Sequence, residues 1–260
     1  MEKCERPVGV FDSGVGGISV LREMVSLMPN ENFIYYGDSK NAPYGTKSVK
    51  EVQDLAMADA EILLGMGAKA IVIACNTATA VCVEVLRRKY PDIPVVGVEP
   101  ALKPAVLYKE NARVLVMATN ITLRERKFQA LLEKYSKRGE IYLLPCPGLM
   151  DWVENGICEG AEVEKFVEEL VSPYRGKIDC VVLGCTHYPF LAGAIQKAVG
   201  SEVRLFDGGK GTARELLRRL ECMKLTNNAQ NIGKVEFMNS NNCEAEMELS
   251  KRLLDLIKNC

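Results

Sequence analysis

Short apolar runs alternate with amphipathic stretches almost from the first residue. Val8 to Phe11 has the length of a strand; the polar loop Asp12-Ser13-Gly14-Val15-Gly16-Gly17 follows, then a helical pattern to about Met28. Phe33 to Tyr36 predicts a second strand, and residues 37–45 form a loop into a helix from about Ser48. Ser48 and Glu51 have capping-box spacing. Val52, Leu55, Ala56, Ile62 and Leu63 make the apolar stripe of that helix, and Gly65 and Gly67 end it. A strand at Lys69 to Ala74, a helix to Tyr90 and a strand at Pro94 to Val98 continue the alternation. A second series has strands at Val114 to Ala118, Ile141 to Leu144, Ile178 to Leu183 and Val203 to Phe206, with helices from Asn120 and through Leu220. A polar excursion between Asn227 and Asn242 surrounds one strand, Val235 to Met238. An amphipathic helix carrying Met247, Leu249, Leu253, Leu254 and Ile257 closes the chain.

Strands separated by helices imply βαβ units and mostly parallel sheets. The expected fold class is therefore α/β, with two similar domains: residues 1–98 plus 207–260, and residues 99–206. The tail is expected to pack back on the first half. Ligands of such sheets bind beyond the carboxyl ends of the strands, where the polar loops fall, and the cleft between the halves is the expected site.

Two segments nearly repeat each other. Ile71-Val72-Ile73-Ala74-Cys75-Asn76-Thr77 and Val181-Val182-Leu183-Gly184-Cys185-Thr186-His187 each run from β-branched residues through a small residue to a cysteine and polar partners. Each is expected to place a thiol at a strand-to-helix junction, and a helix N-terminus favours the thiolate. One such cysteine from each half suggests a thiol on each side of a substrate.

Composition narrows the chemistry. The net charge of −1 provides no basic field for nucleic acid, and no run approaches a membrane span. The charged start Met1-Glu2-Lys3-Cys4 lacks a secretory pattern. With 10 cysteines but no CxxC pair, the expected compartment is a reducing cytosol with free thiols. A single histidine, His187, argues against zinc, and no metal is expected. Cys82, Cys146 and Cys180 read as packing residues.

The loop with Gly14, Gly16 and Gly17 matches neither dinucleotide nor Walker spacing and reads as a tight turn presenting Asp12 and Ser13. Asn76 and Thr77 at a helix start suit a carboxylate. His187 follows Cys185 closely enough to be its acid/base partner. The loops at 12–17, 37–46, 75–79 and 185–189 contain no arginine, and Lys40 is their only cation besides a charged His187. Two other readings fit a bilobed chain with two thiols: a redox enzyme pairing Cys75 with Cys185, and a non-catalytic amino-acid-binding protein.

Taken together, Val10-Phe11-Asp12-Ser13-Gly14-Val15-Gly16-Gly17, Pro43-Tyr44-Gly45, Ala74-Cys75-Asn76-Thr77-Ala78-Thr79 and Leu183-Gly184-Cys185-Thr186-His187-Tyr188-Pro189 resemble the glutamate racemases of the aspartate/glutamate racemase family. The resemblance runs from about Val8 to Leu220. It implies two α/β domains with pseudo-twofold symmetry and a cofactor-independent isomerase that supplies D-glutamate for peptidoglycan. It further implies a cytoplasmic, homodimeric protein whose only ligand class is a small molecule. Cys75 and Cys185 would be the acid/base pair, with Asp12 assisting one thiol and His187 the other, and Glu154 near the histidine. Asp12, Ser13, Tyr44, Gly45, Asn76, Thr77, Thr186 and His187 would line the substrate. Thr119 and Thr122 fall in a looser version of a family threonine segment. Aspartate racemases share the two-cysteine plan but as a rule carry Glu after the second Cys-Thr, so His187 favours glutamate.

Overall fold

The computed structural model of the chain describes residues 2–256, so Ile257 lies outside the described residues. The elements in chain order are β1 (Val8–Asp12), α1 (Ile18–Leu27), β2 (Phe33–Gly37), α2 (Val49–Gly65), β3 (Ala70–Ile73), α3 (Asn76–Lys89) and β4 (Val95–Gly97). Then come α4 (Leu102–Val106), β5 (Ala112–Ala118), α5 (Asn120–Arg124), α6 (Arg126–Tyr135), β6 (Gly139–Pro145), α7 (Leu149–Glu154), α8 (Ala161–Val171), β7 (Cys180–Leu183), α9 (Ala192–Val199) and β8 (Arg204–Asp207). The chain ends through α10 (Gly209–Cys222), β9 (Val235–Asn239) and α11 (Glu244–Leu256).

These elements form two compact units. The first holds the residues up to Val98 and those from Gly209 on; the second holds Glu99–Gly208. The first unit is built on a sheet of order β4-β3-β1-β2-β9, parallel throughout. Every residue of β1, β2 and β3 is buried, as expected of central parallel strands covered by helices on both faces. The second unit has a four-stranded parallel sheet of order β6-β5-β7-β8. Its core gathers Val114, Val116 and Val182 from the strands with Leu102, Phe128 and Tyr135 from the helices. Fully burying one such aliphatic or aromatic side chain contributes about 1.5–3 kcal/mol.

Strand order decides where chemistry can gather. In the first sheet β1 lies between β2 and β3, so the chain runs outward in opposite directions from β1. This is a topological switch point, and it places the carboxyl ends of β1 and β3 side by side. In the second sheet β5 lies between β6 and β7, which does the same for the ends of β5 and β7.

Three local expectations are corrected. The helix after Asn120 is two helices, because Glu125 takes an extended conformation and its carboxylate caps Arg126 N. On α2 the buried face is Val52, Ala56, Asp59, Ala60 and Leu63, while Ile62 is exposed. A carboxyl, rather than Ile62, completes that stripe. The third correction concerns Cys185: no α-helix starts there. A 3-10 turn, Tyr188–Leu191, intervenes before α9, with Pro189 in its first turn.

Candidate functional site

Cys75 is the N-cap of α3, a helix of 14 residues, and follows β3 through Ala74. Its backbone is extended, and the residue sits at the helix end where roughly half a positive charge is concentrated. The neighbouring strand end supplies its partners. Cys75 Sγ lies 3.8 Å from Ser13 Oγ, and Ser13 Oγ donates to Asp12 Oδ1 at 3.5 Å. Asp12 is held in turn by Gly17 N, which donates to Oδ2 at 2.6 Å. Both Asp12 and Ser13 are buried.

Asn76 and Thr77, the first residues of α3, are also buried. Asn76 Oδ1 has no hydrogen-bond partner among the described residues. A buried amide oxygen without a partner costs about 1–3 kcal/mol, which a ligand's N–H donor would recover.

Tyr44 and Gly45 belong to a 3-10 turn after β2, Tyr44–Thr46. The structure turns the Tyr44 hydroxyl away into protein: Oη lies 2.6 Å from Asp38 Oδ2 and 2.9 Å from Asp59 Oδ2. What this turn can offer a ligand is main chain.

In the second unit Cys185 follows β7 through Gly184, whose N donates to Met117 O at 2.7 Å across the strand ends. A Cβ on Gly184 would stand 2.8 Å from that oxygen, so only glycine permits this approach. Cys185 Sγ lies 3.5 Å from His187 Nδ1, and His187 Nε2 lies 2.7 Å from Glu154 Oε1, at the end of α7. Cys185, His187 and Glu154 thus make a continuous relay. His187 is fully enclosed, and burial alone would strip its proton. The charge of Cys185 and its contact, then the Glu154 contact and charge, outweigh burial and hold the imidazole well above its ordinary value. Thr186 is buried beside them. Thr119 caps α5, its Oγ1 accepting from Thr122 N at 3.3 Å, and Thr122 is buried.

The structure brings Cys75, Ser13 and Asp12 together beyond the carboxyl ends of β1 and β3 in the first unit, and Cys185, His187 and Glu154 together beyond β7 in the second. The relays differ in kind: a hydroxyl and a carboxylate with a helix terminus, against an imidazole and a carboxylate. Cys82 and Cys146 have thiols pushed up to about 12, chiefly by burial, as suits packing residues. Sequence reasoning gave no role to Asp38 or Asp59. Asp59 has a signal in the sequence, since it is a carboxyl in phase with an apolar stripe. Among the described residues no group of His, Cys, Asp or Glu is placed to hold a metal ion, and no helix is long and apolar enough to cross a membrane.

The sequence profile of the Asp/Glu/Hydantoin racemase family matches residues 8–216. A curated glutamate racemase of Clostridium botulinum is 48% identical over 256 residues, 98% of this chain and 99% of the relative. The crystal structure of Francisella tularensis glutamate racemase in complex with D-glutamate has a TM-score of 0.83 and 32% identity, covering 96% of this chain and 94% of that one. The Escherichia coli glutamate racemase, in complex with L-glutamate and the activator UDP-MurNAc-Ala, has a TM-score of 0.82 and 29% identity, covering 96% of this chain and 95% of that one.

Proposed function

The chain belongs to the Asp/Glu/Hydantoin racemase family, and from that premise we propose that it interconverts L- and D-glutamate with two thiols and no cofactor. The observation that carries this reading is the pair of unlike relays, one buried cysteine ending each central strand pair and each backed by its own carboxylate. The glutamate held by the Francisella and Escherichia relatives supports the choice of substrate.

Racemisation removes the α-proton from one face of a carbon and returns one to the other. One thiolate takes the proton, the electron pair passes into the substrate carboxylate, and the opposite thiol gives its proton to the α-carbon. Each turnover swaps the two sulfurs' states. An unperturbed thiol titrates at about 8.5, so a modest environmental push suffices for one to be ionised at neutral pH while the other stays protonated. His187, held charged, sets a positive charge beside the Cys185 sulfur, and Cys75 sits at the positive end of α3. Main-chain N–H groups at the start of α3 suit a substrate carboxylate, and Asn76 Oδ1 suits its ammonium. Asp12, Ser13, Tyr44, Gly45, Thr77 and Thr186 complete the proposed lining. The proposal extends to D-glutamate supply for peptidoglycan in the cytoplasm, and to pairing of two copies.

Purified protein given L-glutamate without added cofactor is expected to abolish its circular dichroism. In deuterated water the product is expected to carry deuterium at the α-carbon. Cys75→Ser and Cys185→Ser should each lose roughly a hundred- to ten-thousand-fold in turnover while remaining folded. Unlabelled product, or turnover unchanged in either variant, overturns the two-thiol scheme.

A further inference from the structure

Tyr44, Asp38 and Asp59 form a buried cluster that the proton relays do not use; their exposures are 1%, 2% and 3%. A phenol has one hydrogen to donate. Tyr44 Oη nevertheless sits within hydrogen-bond distance of both carboxyl groups, 2.6 Å from Asp38 and 2.9 Å from Asp59. With both carboxyls ionised, one of these contacts would join two acceptors, so the cluster needs a second hydrogen. Asp38 is the better acceptor: its contact to Tyr44 is the shorter, and its Oδ1 accepts from Asn41 Nδ2 at 3.0 Å. The phenol hydrogen therefore belongs to Asp38, and the extra one resides on Asp59.

We propose that Asp59 is a positioning residue kept as the neutral acid, donating to Tyr44 so that Tyr44 can donate to Asp38. The relay fixes the 38–46 loop against the active strand end. Asp38 N donates to Asp12 O at 2.9 Å, and Asn41 N donates to Asp38 O at 3.0 Å. This inference rests on the reading of Tyr44-Gly45 as main-chain substrate contacts.

The surroundings agree. Burial first, then the charge of Asp38, push the Asp59 carboxyl up to about 8; the Tyr44 contact pulls it back and Asp12 pushes further. The groups bearing on Asp59 are Asp38 and Tyr44 from the loop, Asp12 from β1, Tyr36 from β2 and Cys82 from α3. None of them brings a positive charge. The ion pairs that α2 makes, Lys50–Asp54 and Lys89–Glu61, are at the surface. Above about pH 8 the Asp59 proton passes to solvent, two anions flank one phenol, and the loop loses its anchor.

Two measurements test this on the full chain. Infrared spectra should show a protonated carboxyl band that fades as the pH rises through 8 and is missing from Asp59→Asn. The amide of that variant can still donate to Tyr44, so glutamate turnover at neutral pH should persist. Above pH 8, KM for glutamate should rise more steeply in the unaltered protein than in Asp59→Asn, by up to about a further tenfold per pH unit, since the thiols and the substrate titrate alike in both. Absence of the band in the unaltered protein, its persistence in the variant, or identical KM profiles overturns the proposal. The infrared result needs no substrate. A protein that shows the band but does not racemise glutamate therefore refutes the proposed reaction and not the proton on Asp59.

Discussion

At Gly17 a methyl group would stand 2.7 Å from Asp12 Cβ and 2.9 Å from Ala74 Cβ. Gly17→Ala must therefore push apart the ends of β1 and β3, which carry Asp12 and Cys75. Overpacking of this kind costs about 1–3 kcal/mol. The expected result is a lower denaturant midpoint together with slower turnover; turnover equal to that of the parent protein would detach the Asp12 geometry from function. At this scale the sequence was most readable where residues are adjacent. Cys75-Asn76-Thr77 and Cys185-Thr186-His187 declare themselves because small, thiol and polar residues follow a β-branched run. Glu154 could not be paired with His187 from pattern alone, since the two meet only through the placement of α7 beside the turn after β7. Asp59 is hidden for a different reason. Apolar periodicity assigns the inner face to hydrophobic residues such as Ile62, whereas the helix buries Asp59 and exposes Ile62.

Among the elements, α2 shows how local chemistry fixes a boundary. Ser48 accepts from Glu51 N at 3.3 Å, and Glu51 reaches back to Ser48 N at 2.9 Å. Ser48→Ala should cost about 1 kcal/mol and fray the start of the helix behind the Tyr44 turn. Thermal unfolding would register the loss, and an unchanged midpoint would show the box to be idle. The capping box was legible because both halves lie within one turn of sequence. So were the long alternations that give the nine strands of the described residues. The break at Glu125 was not legible: neither glycine nor proline marks it, and the separation depends on Glu125 capping the next helix. The form of the segment after Cys185 was equally hidden. Pro189 is tolerated in the first turn of either helix type, so Tyr188–Leu191 read as the start of a helix. The consequence is chemical: a helix terminus serves Cys75 but not Cys185.

Over the whole chain, the first unit is interrupted after Val98 and resumed at Gly209, and its edge strand β9 comes from the resumed part, paired in parallel with β2. A buried ion pair helps to hold this return. Lys69 Nζ contacts Glu31 Oε2 at 2.5 Å and also donates to Cys4 O, while Asn227 N donates to Glu31 Oε1 at 2.7 Å. Lys69→Met would leave Glu31 charged without its partner, at a cost of about 3–5 kcal/mol. Chemical denaturation should show that loss, with much of it regained in the double variant with Glu31→Gln; no loss would mean that water already compensates Glu31. The α/β class was readable from alternation, but this anchor was not, because it joins residues nearly two hundred positions apart. The dissimilar surroundings of the two sulfurs carry one further consequence for the proposed reaction. Enantiomers have equal free energies in water, so their equilibrium ratio is unity for any catalyst. Whatever advantage His187 gives to deprotonation by one sulfur must be repaid in the affinity for the mirror image. Forward and reverse turnover numbers are free to diverge, while the specificity constants for the two hands must remain identical.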